Sequence, residues 1–526
     1  MTKLIIKPDY HMGHILLESM RRHSDCICQL DGATGEEESF ASVASRSVKL
    51  AKYMRRCGLL PGDVLALGGK NHLDLMIPFM SALFNGLPIL GVDPNFKYSE
   101  IKRLFQITSP KISFCDEDSY DIYAKVSQDL GLDIRIITFG STNSLLSQLI
   151  NDYDDHEPEE NFQVSVIDVD TISPFLISTS GTVTDKMKVA AFKHQTVFDK
   201  LLDFSNYKKI DIKNYKLLHV SPINWVSGFG LVLGMPALGV CILQTSVPDN
   251  IDIIIEMINK YKPNNCFINP TIVSALLRRK DEVDLSCFIT VICSGSKLHP
   301  DKLIELRSCL QEGTAITDAY GQTECLGAVA MPVQGTPVPL GSCGKCLPVY
   351  TIKLIDPDTG KEIKEASVTG EMCVKGPMFV GYVNDPEETA KSFTPDGYFK
   401  TGDLFYRDVN EFLYYVDRVK TVLKYRIYQI LPSEIEDLIR TNDAVQDVCV
   451  LGVEDPDDGE HPVACIIKKG NRQVTSKEIK DLVAAKLSKN KQLRGGVLFL
   501  DELPTTSTGK VNRRKLQEIV LNAKRE

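Results

Sequence analysis

The chain has 526 residues, 25% of them charged and 43% hydrophobic, which is enough for more than one hydrophobic core and ordinary for globular proteins. Sixty lysines and arginines against 69 acidic residues give a net charge of -9, which speaks against a nucleic acid or an anionic membrane surface as partner. The 15 cysteines are odd in number and irregularly spaced, which fits a reducing compartment where thiols stay free.

The opening MTKLIIKPDYHMGHILLESM lacks the sustained apolar core of a secretion signal. From Val64 onward, VLALGG, HLDLMIPFMSALFNG and LPILGV alternate as strand, helix and strand, and predict repeated βα units with α/β layering. The acidic stretch from Asn151 to Asn161 reads as a surface connector, because this alternation resumes beyond it. The apolar run from Phe229 to Leu243 contains Pro236 and falls short of the roughly 20 residues that span a bilayer, so it is expected to be buried core with no transmembrane segment. Cys343 and Cys346 form a CxxC, but no second pair follows at metal-ligand spacing. Toward the end, VQDVCVLGVED and HPVACIIKKG predict two strands. A helix follows them, opened by Thr475 with Glu478 three residues on and carrying Ile479, Leu482, Val483 and Leu487 on one face. This α+β tail of about a hundred residues is expected to begin at the charged stretch Asp417 to Lys420.

Five segments carry candidate chemistry. In LISTSGTVTDKMKVAAFKH an apolar run ends at Ile177, and six of the seven residues Ser178 to Thr184 are Ser, Thr or Gly, with Lys186 and Lys188 beyond. Hydroxyls, backbone N–H groups and ammonium donors packed after a strand suit a polyphosphate, although the GxxxxGK[ST] loop is absent. In DAYGQTECLGAV, Ala319 and Gly321 flank Tyr320, a flat ring for a purine, while Thr323 offers a hydroxyl and Glu324 a hard carboxylate for magnesium. Asp403, after Gly402 in GYFKTGDLFYRD, could accept both hydroxyls of a ribose, and Arg418 in YVDRVKTVLKYRIYQ could add a donor. Lys510, after a Thr-Gly pair in LPTTSTGKVNRRKL, sits where a loop lysine can neutralise charge on a reacting carboxylate and phosphate.

In order and spacing these segments resemble the core motifs of the adenylate-forming superfamily, over almost the whole chain. GEMCVKGPMFVGYVNDPEETAKSF and KYRIYQILPSEIEDLI are similar to those of luciferase-like and 4-coumarate-CoA ligase-like acyl-CoA synthetases of insects. The resemblance implies a multi-subdomain α/β fold. Its large N-terminal domain, residues 1–417, would hold two β-sheets flanked by helices and a distorted barrel, and residues 418–526 would form a small mobile α+β domain. It implies activation of a carboxylic acid, with an apolar medium or long chain preferred, by ATP and magnesium to an acyl-AMP, then thioester formation with CoA.

By the same resemblance Ser180, Gly181, Thr182 and Thr184, with Lys186 and Lys188, would line the phosphates, and Ser296 and Lys297 would lie beside the adenine stacked on Tyr320. Thr323 would touch the α-phosphate, Glu324 would hold magnesium, Asp403 and Arg418 would bind ribose, and Lys510 would support adenylation. Trp225 stands where the family often has a histidine at the acyl pocket, with Gly228 three residues on, and Arg426 with Ile427 would border the CoA channel. Two departures from the pattern matter. The phosphate loop places Thr184 at a glycine, Met187 at the lysine and Lys188 at the second glycine, leaving Lys186 or Lys188 to supply the charge. Ile427 stands at a glycine of that channel, where a β-branched residue narrows the path and any need for positive φ would strain it. These departures keep open a pseudoenzyme that binds nucleotide or acyl chains without turnover, beside a luciferase-like adenylating oxygenase. The C-terminal LNAKRE is not an SKL-type peroxisomal address, so a cytoplasmic enzyme is expected, with the peroxisome as alternative.

Overall fold

The computed structural model describes residues 5–141, 144–153, 156–179, 187–207, 215–248, 250–295, 298, 300–332, 337–426, 428–456, 458–470, 472–506 and 510–526. They fall into two compact units, one running through residues 1–180, 187–351 and 375–397, the other through 352–374 and 398–526.

The first unit is built on two sheets. In the seven-stranded sheet the order is Gly381–Tyr382, Lys188–Ala191, Phe175–Thr179, Ile89–Val92, Leu65–Gly68, Ile112–Asp116 and Arg135–Phe139. The last five are parallel, and the first two add an antiparallel edge. Leu65–Gly68 and Ile89–Val92 are buried at every residue, as unbroken apolar runs in a parallel sheet covered on both faces should be. Between them helix Met76–Asn85 is also buried throughout, and it stops at Gly86, whose φ of 68° allows its amide to close on the Ala82 and Leu83 carbonyls. The nine-stranded sheet runs from Lys345–Cys346 through Gly327–Met331, Ala315–Gln322 and Thr290–Ser294 to Glu37–Ser39 at its far edge.

The apolar run after Trp225 forms helix Val226–Ala237, buried along most of its length. Its first turn lies so close to the preceding loop that a Cβ on Gly228 would stand 2.1 Å from the Pro222 carbonyl oxygen. One turn on, Phe229 packs at 4.8 Å between ring centres against Phe175, and both lie near Phe79. This aromatic cluster fixes the strand that leads into residue 180 against the helix that follows Trp225.

In the second unit, strands Phe399–Arg407 and Leu413–Arg418 form one edge of a five-stranded antiparallel sheet. A second sheet is centred on the long hairpin Val445–Asp455 and Gly459–Lys468. Alternate residues of Val445–Asp455 face two cores, Val448 and Val450 packing with Ile435, Ile439, Ile479 and Val483, and Cys449 and Leu451 packing with Leu516 and Val520. Helix Ser476–Lys486 opens with Thr475 and Glu478 capping each other's backbone amides. Among the described residues, no helix is long and apolar enough to cross a membrane.

Candidate active site

Ser180, Gly181, Thr182, Thr184 and Lys186 lie outside the described residues, as do Ser296, Lys297 and Ile427. What is described is the frame around them. Strands Phe175–Thr179 and Lys188–Ala191, which flank these residues, pair antiparallel with Thr179 opposite Lys188.

Ala315–Gln322 runs parallel to Thr290–Ser294 up to Ala319, then pairs antiparallel with Gly327–Met331 from Tyr320 onward. The Ser294 hydroxyl donates to the buried Ala319 carbonyl at 3.0 Å and fixes this changeover. At position 321 a Cβ would meet the Gly327 carbonyl oxygen at 2.3 Å, so the close approach of the two strands requires glycine there. A single helical turn, Thr323–Cys325, then presents Thr323 and Glu324.

Glu324 is held at both its backbone and its side chain. Its carbonyl accepts from Phe379 N at 2.7 Å, the neighbouring Cys325 carbonyl accepts from the Tyr350 hydroxyl at 2.8 Å, and its Oε1 accepts from the Tyr382 hydroxyl at 2.8 Å. Burial, reinforced by the Glu324 charge, raises the Tyr382 phenol above its ordinary range, so it stays protonated and donates. Lys188 lies 4.4 Å from the centre of the same ring and pairs with Glu388 at 2.9 Å. The structure thus brings Lys188 and Glu324 together through Tyr382, and it engages the Lys188 ammonium with protein groups.

Trp225 is the N-cap of its helix, and its buried indole N–H has no hydrogen-bond partner among the described residues. The preceding Asn224 donates to Asp93 at 3.1 Å, and Asn71 donates to the Ser221 carbonyl at 2.9 Å, so the loop that presents Trp225 is anchored on both sides.

In the second unit, Asp403 and Arg418 sit opposite each other across their strand pair, and Asp403 Oδ1 lies 3.2 Å from Arg418 Nε. Asp403 is 2% exposed. It follows Gly402, which lies within the strand rather than in a tight turn, taking a φ of 71° where the register against Gly370–Lys375 shifts, and whose amide donates to Glu371 at 3.0 Å. Burial raises the Glu371 carboxyl above its ordinary range. Lys510 closes a loop whose ends are tied by hydrogen bonds between Thr506 and Lys510 and by Asn512 N on the Pro504 carbonyl. Burial and the neighbouring Arg418 charge lower the Lys510 ammonium from the ordinary lysine range, against the opposing pull of Asp403. Asp403, Arg418 and Lys510, far apart in sequence, are therefore one electrostatic group.

The expected boundary at Asp417 to Lys420 is less exposed than its charges suggest. Asp417 is buried and accepts from Arg418 N, the Thr421 hydroxyl and Ser433 N, tying the end of one sheet to the start of the next helix. Arg426, beside Ile427, takes φ 53°, with its amide on the Asp458 carbonyl and its guanidinium on the Asp458 carboxylate at 2.6 Å.

Residues 16–383 match the AMP-binding enzyme family, and 434–510 match the AMP-binding enzyme C-terminal domain. The chain belongs to the AMP-binding enzyme family. The luciferin 4-monooxygenase of Photinus pyralis is 29% identical to this AMP-binding chain over 530 residues, covering 98% of it and 95% of the luciferase. A probable 4-coumarate–CoA ligase 2 of Dictyostelium discoideum is 27% identical and covers 98% and 96%. ATP-bound MatB from Rhodopseudomonas palustris has the same fold, at a TM-score of 0.86 and 23% identity over 96% of this chain and 99% of that one. The expected fold class and superfamily are both borne out.

Neither Tyr382 and Glu388 beside Glu324 in the first unit nor Glu371 beside Gly402 in the second was expected from the sequence. Tyr382 lies within GEMCVKGPMFVGYVNDPEETAKSF, a segment that carried the resemblance but offered no local sign of reaching Glu324.

Proposed function

We propose that this protein is an AMP-forming acid–CoA ligase that activates an apolar carboxylic acid, of medium or long chain, to an acyl-AMP and transfers the acyl group to CoA. The observation that carries the reading is the grouping of Lys510 with Asp403 and Arg418. A carboxylate for ribose hydroxyls, a donor to the same sugar edge and a lysine of lowered basicity are what an acyl-adenylating site asks of these residue types.

In this reading the substrate carboxylate attacks the α-phosphorus of ATP and pyrophosphate leaves, with Lys510 neutralising charge on the carboxylate and α-phosphate. Tyr320 stacks on adenine, Thr323 donates to the α-phosphate, and Asp403 with Arg418 binds ribose. The half-buried carboxylate of Glu324, an oxygen donor steadied by Tyr382, fits a hard divalent cation, and magnesium held there would neutralise phosphate charge. The CoA thiolate then attacks the acyl carbonyl, AMP leaves, and a thioester forms, with Arg426 and Ile427 bordering the path of the CoA arm. A division of the chain at residues 417 and 418 belongs to the same reading, with the buried Asp417 as the fixed point beside the hinge. We place the enzyme in the cytoplasm.

Pyrophosphate release from the purified protein, with ATP and magnesium against a panel of fatty and aromatic acids, tests this with and without CoA. Release that CoA accelerates, with the thioester detected, is the expected result, and ATP binding without release for any acid would overturn it. That second outcome describes a nucleotide-binding protein without turnover, a reading favoured by the pairing of Lys188 with Glu388, which takes up one of the two lysines able to replace Met187 at the phosphates.

A further inference from the structure

We propose that Tyr382 is a positioning residue that sets the cation-binding orientation of Glu324, with Lys188 and Glu388 as the clamp that seats its ring. The inference rests on the assignment of Glu324 as a metal ligand.

Tyr382 stands on a two-residue strand, Gly381–Tyr382, added to the edge of Lys188–Ala191, with Tyr382 opposite Ala190. Its amide donates to the Thr389 hydroxyl at 2.9 Å, and Val380 N and Val383 N bond the Ala191 and Val189 carbonyls on either side. The backbone that carries the phenol is thus part of the sheet. Tyr382 is 7% exposed, with the Lys188 ammonium 4.4 Å from its ring centre, and that ammonium is fixed in turn by Glu388 at 2.9 Å. A cation over the ring face is attracted by the ring quadrupole and holds the ring in one place.

So seated, the phenol donates to Glu324 Oε1 at 2.8 Å, and Phe379, three residues before it, donates to the Glu324 carbonyl at 2.7 Å. One short segment therefore grips both ends of Glu324. A phenol is a hydrogen-bond donor at neutral pH, so it engages one lone pair of Oε1 and holds the carboxylate plane, leaving the other lone pairs of the carboxylate for a cation. Partners of this outer kind orient a ligand and typically contribute about 10- to 100-fold in metal affinity. Lys188, which the sequence offers as a phosphate lysine, acts here from behind the ring.

Tyr382→Phe keeps the ring and removes the donor. Manganese(II) binding to the full-length protein, followed by electron paramagnetic resonance with α,β-methylene-ATP present, should weaken about 10- to 100-fold. The affinity for the analogue in metal-free buffer should stay unchanged, and Glu324→Gln should weaken manganese at least as far. Manganese affinity within about twofold of the parent in Tyr382→Phe, with a loss in Glu324→Gln, would overturn the proposal and leave the Glu324 assignment standing. No loss in Glu324→Gln would overturn the assignment and the proposal together. Lys188→Met, which retains the phenol, should shift manganese affinity in the same direction. An unchanged value there would overturn the clamp, and this variant decides the matter should Tyr382→Phe fail to fold.

Discussion

Acidification from pH 7 to pH 5 is expected to unfold the first unit well before its carboxylates titrate. His11, His194 and His219 are each at most 1% exposed. His11 Nε2 donates to the Ser165 carbonyl at 2.8 Å while its Nδ1 accepts from Gly13 N, which fixes the neutral tautomer. His194, 5.2 Å from the His11 ring, and His219 have, among the described residues, no partner for either ring nitrogen. Burial lowers these imidazoles from 6.5 to about 4, about 3 and about 4 respectively. Because the folded pKa values lie below the unfolded ones, the unfolded chain binds more protons, and stability is lost as pH falls below about 6.5. At pH 5 each site contributes a loss of about 2 kcal/mol, and the three together about 6 kcal/mol. That sum is comparable to the whole margin of a typical domain. Glu371 and Glu436, whose raised pKa values act with the opposite sign, belong to the second unit.

The chain's one tryptophan, Trp225, lies in the first unit, so urea titrations followed by its fluorescence report that unit alone. The slope of unfolding free energy between pH 6 and 5 should correspond to the uptake of nearly three protons by these imidazoles, to which His14, also lowered by burial, adds. His194→Phe, which fills the site without a titrating group, should lower that uptake by about one. A parent whose stability is level between pH 7 and 5, or a His194→Phe variant with an unchanged slope, would refute the assignment.

Two further outcomes follow from the site. Lys510→Ala should lower acid-dependent pyrophosphate release by roughly 100- to 1000-fold, as loss of a transition-state charge partner does, with ATP affinity little changed; undiminished release would show that Lys510 has no part in adenylation. Gly228→Ala places a methyl 2.1 Å from the Pro222 carbonyl and should destabilise the first unit by about 1 to 3 kcal/mol in the same fluorescence titration, while Gly230→Ala, where a Cβ meets nothing within 4 Å, should not.

What the sequence made legible was what short-range chemistry controls. The buried helix Met76–Asn85, the hairpin from Val445 to Lys468 and the Thr475–Glu478 cap each follow from apolar period, β-branched runs or a capping residue within a few positions. The order of Ser/Thr/Gly, Tyr320, Glu324, Asp403, Arg418 and Lys510 was likewise legible, because each lies in a compact motif. What escaped was fixed by pairing between distant segments. Lys188 reads as a loop lysine aimed at phosphate until the strand Gly381–Tyr382 pairs beside it and brings the Tyr382 ring and Glu388 to its ammonium. Asp417 reads as part of a charged surface boundary until helix Pro432–Arg440 turns back and places Ser433 N on its carboxylate. Arg426 departs furthest from local expectation. A left-handed backbone costs an arginine roughly 1 to 2 kcal/mol, and Asp458 offsets that cost by accepting both its amide and its guanidinium. The positive φ beside Ile427 is thus carried by a residue whose partners lie 32 positions away, which no window along the chain could reveal.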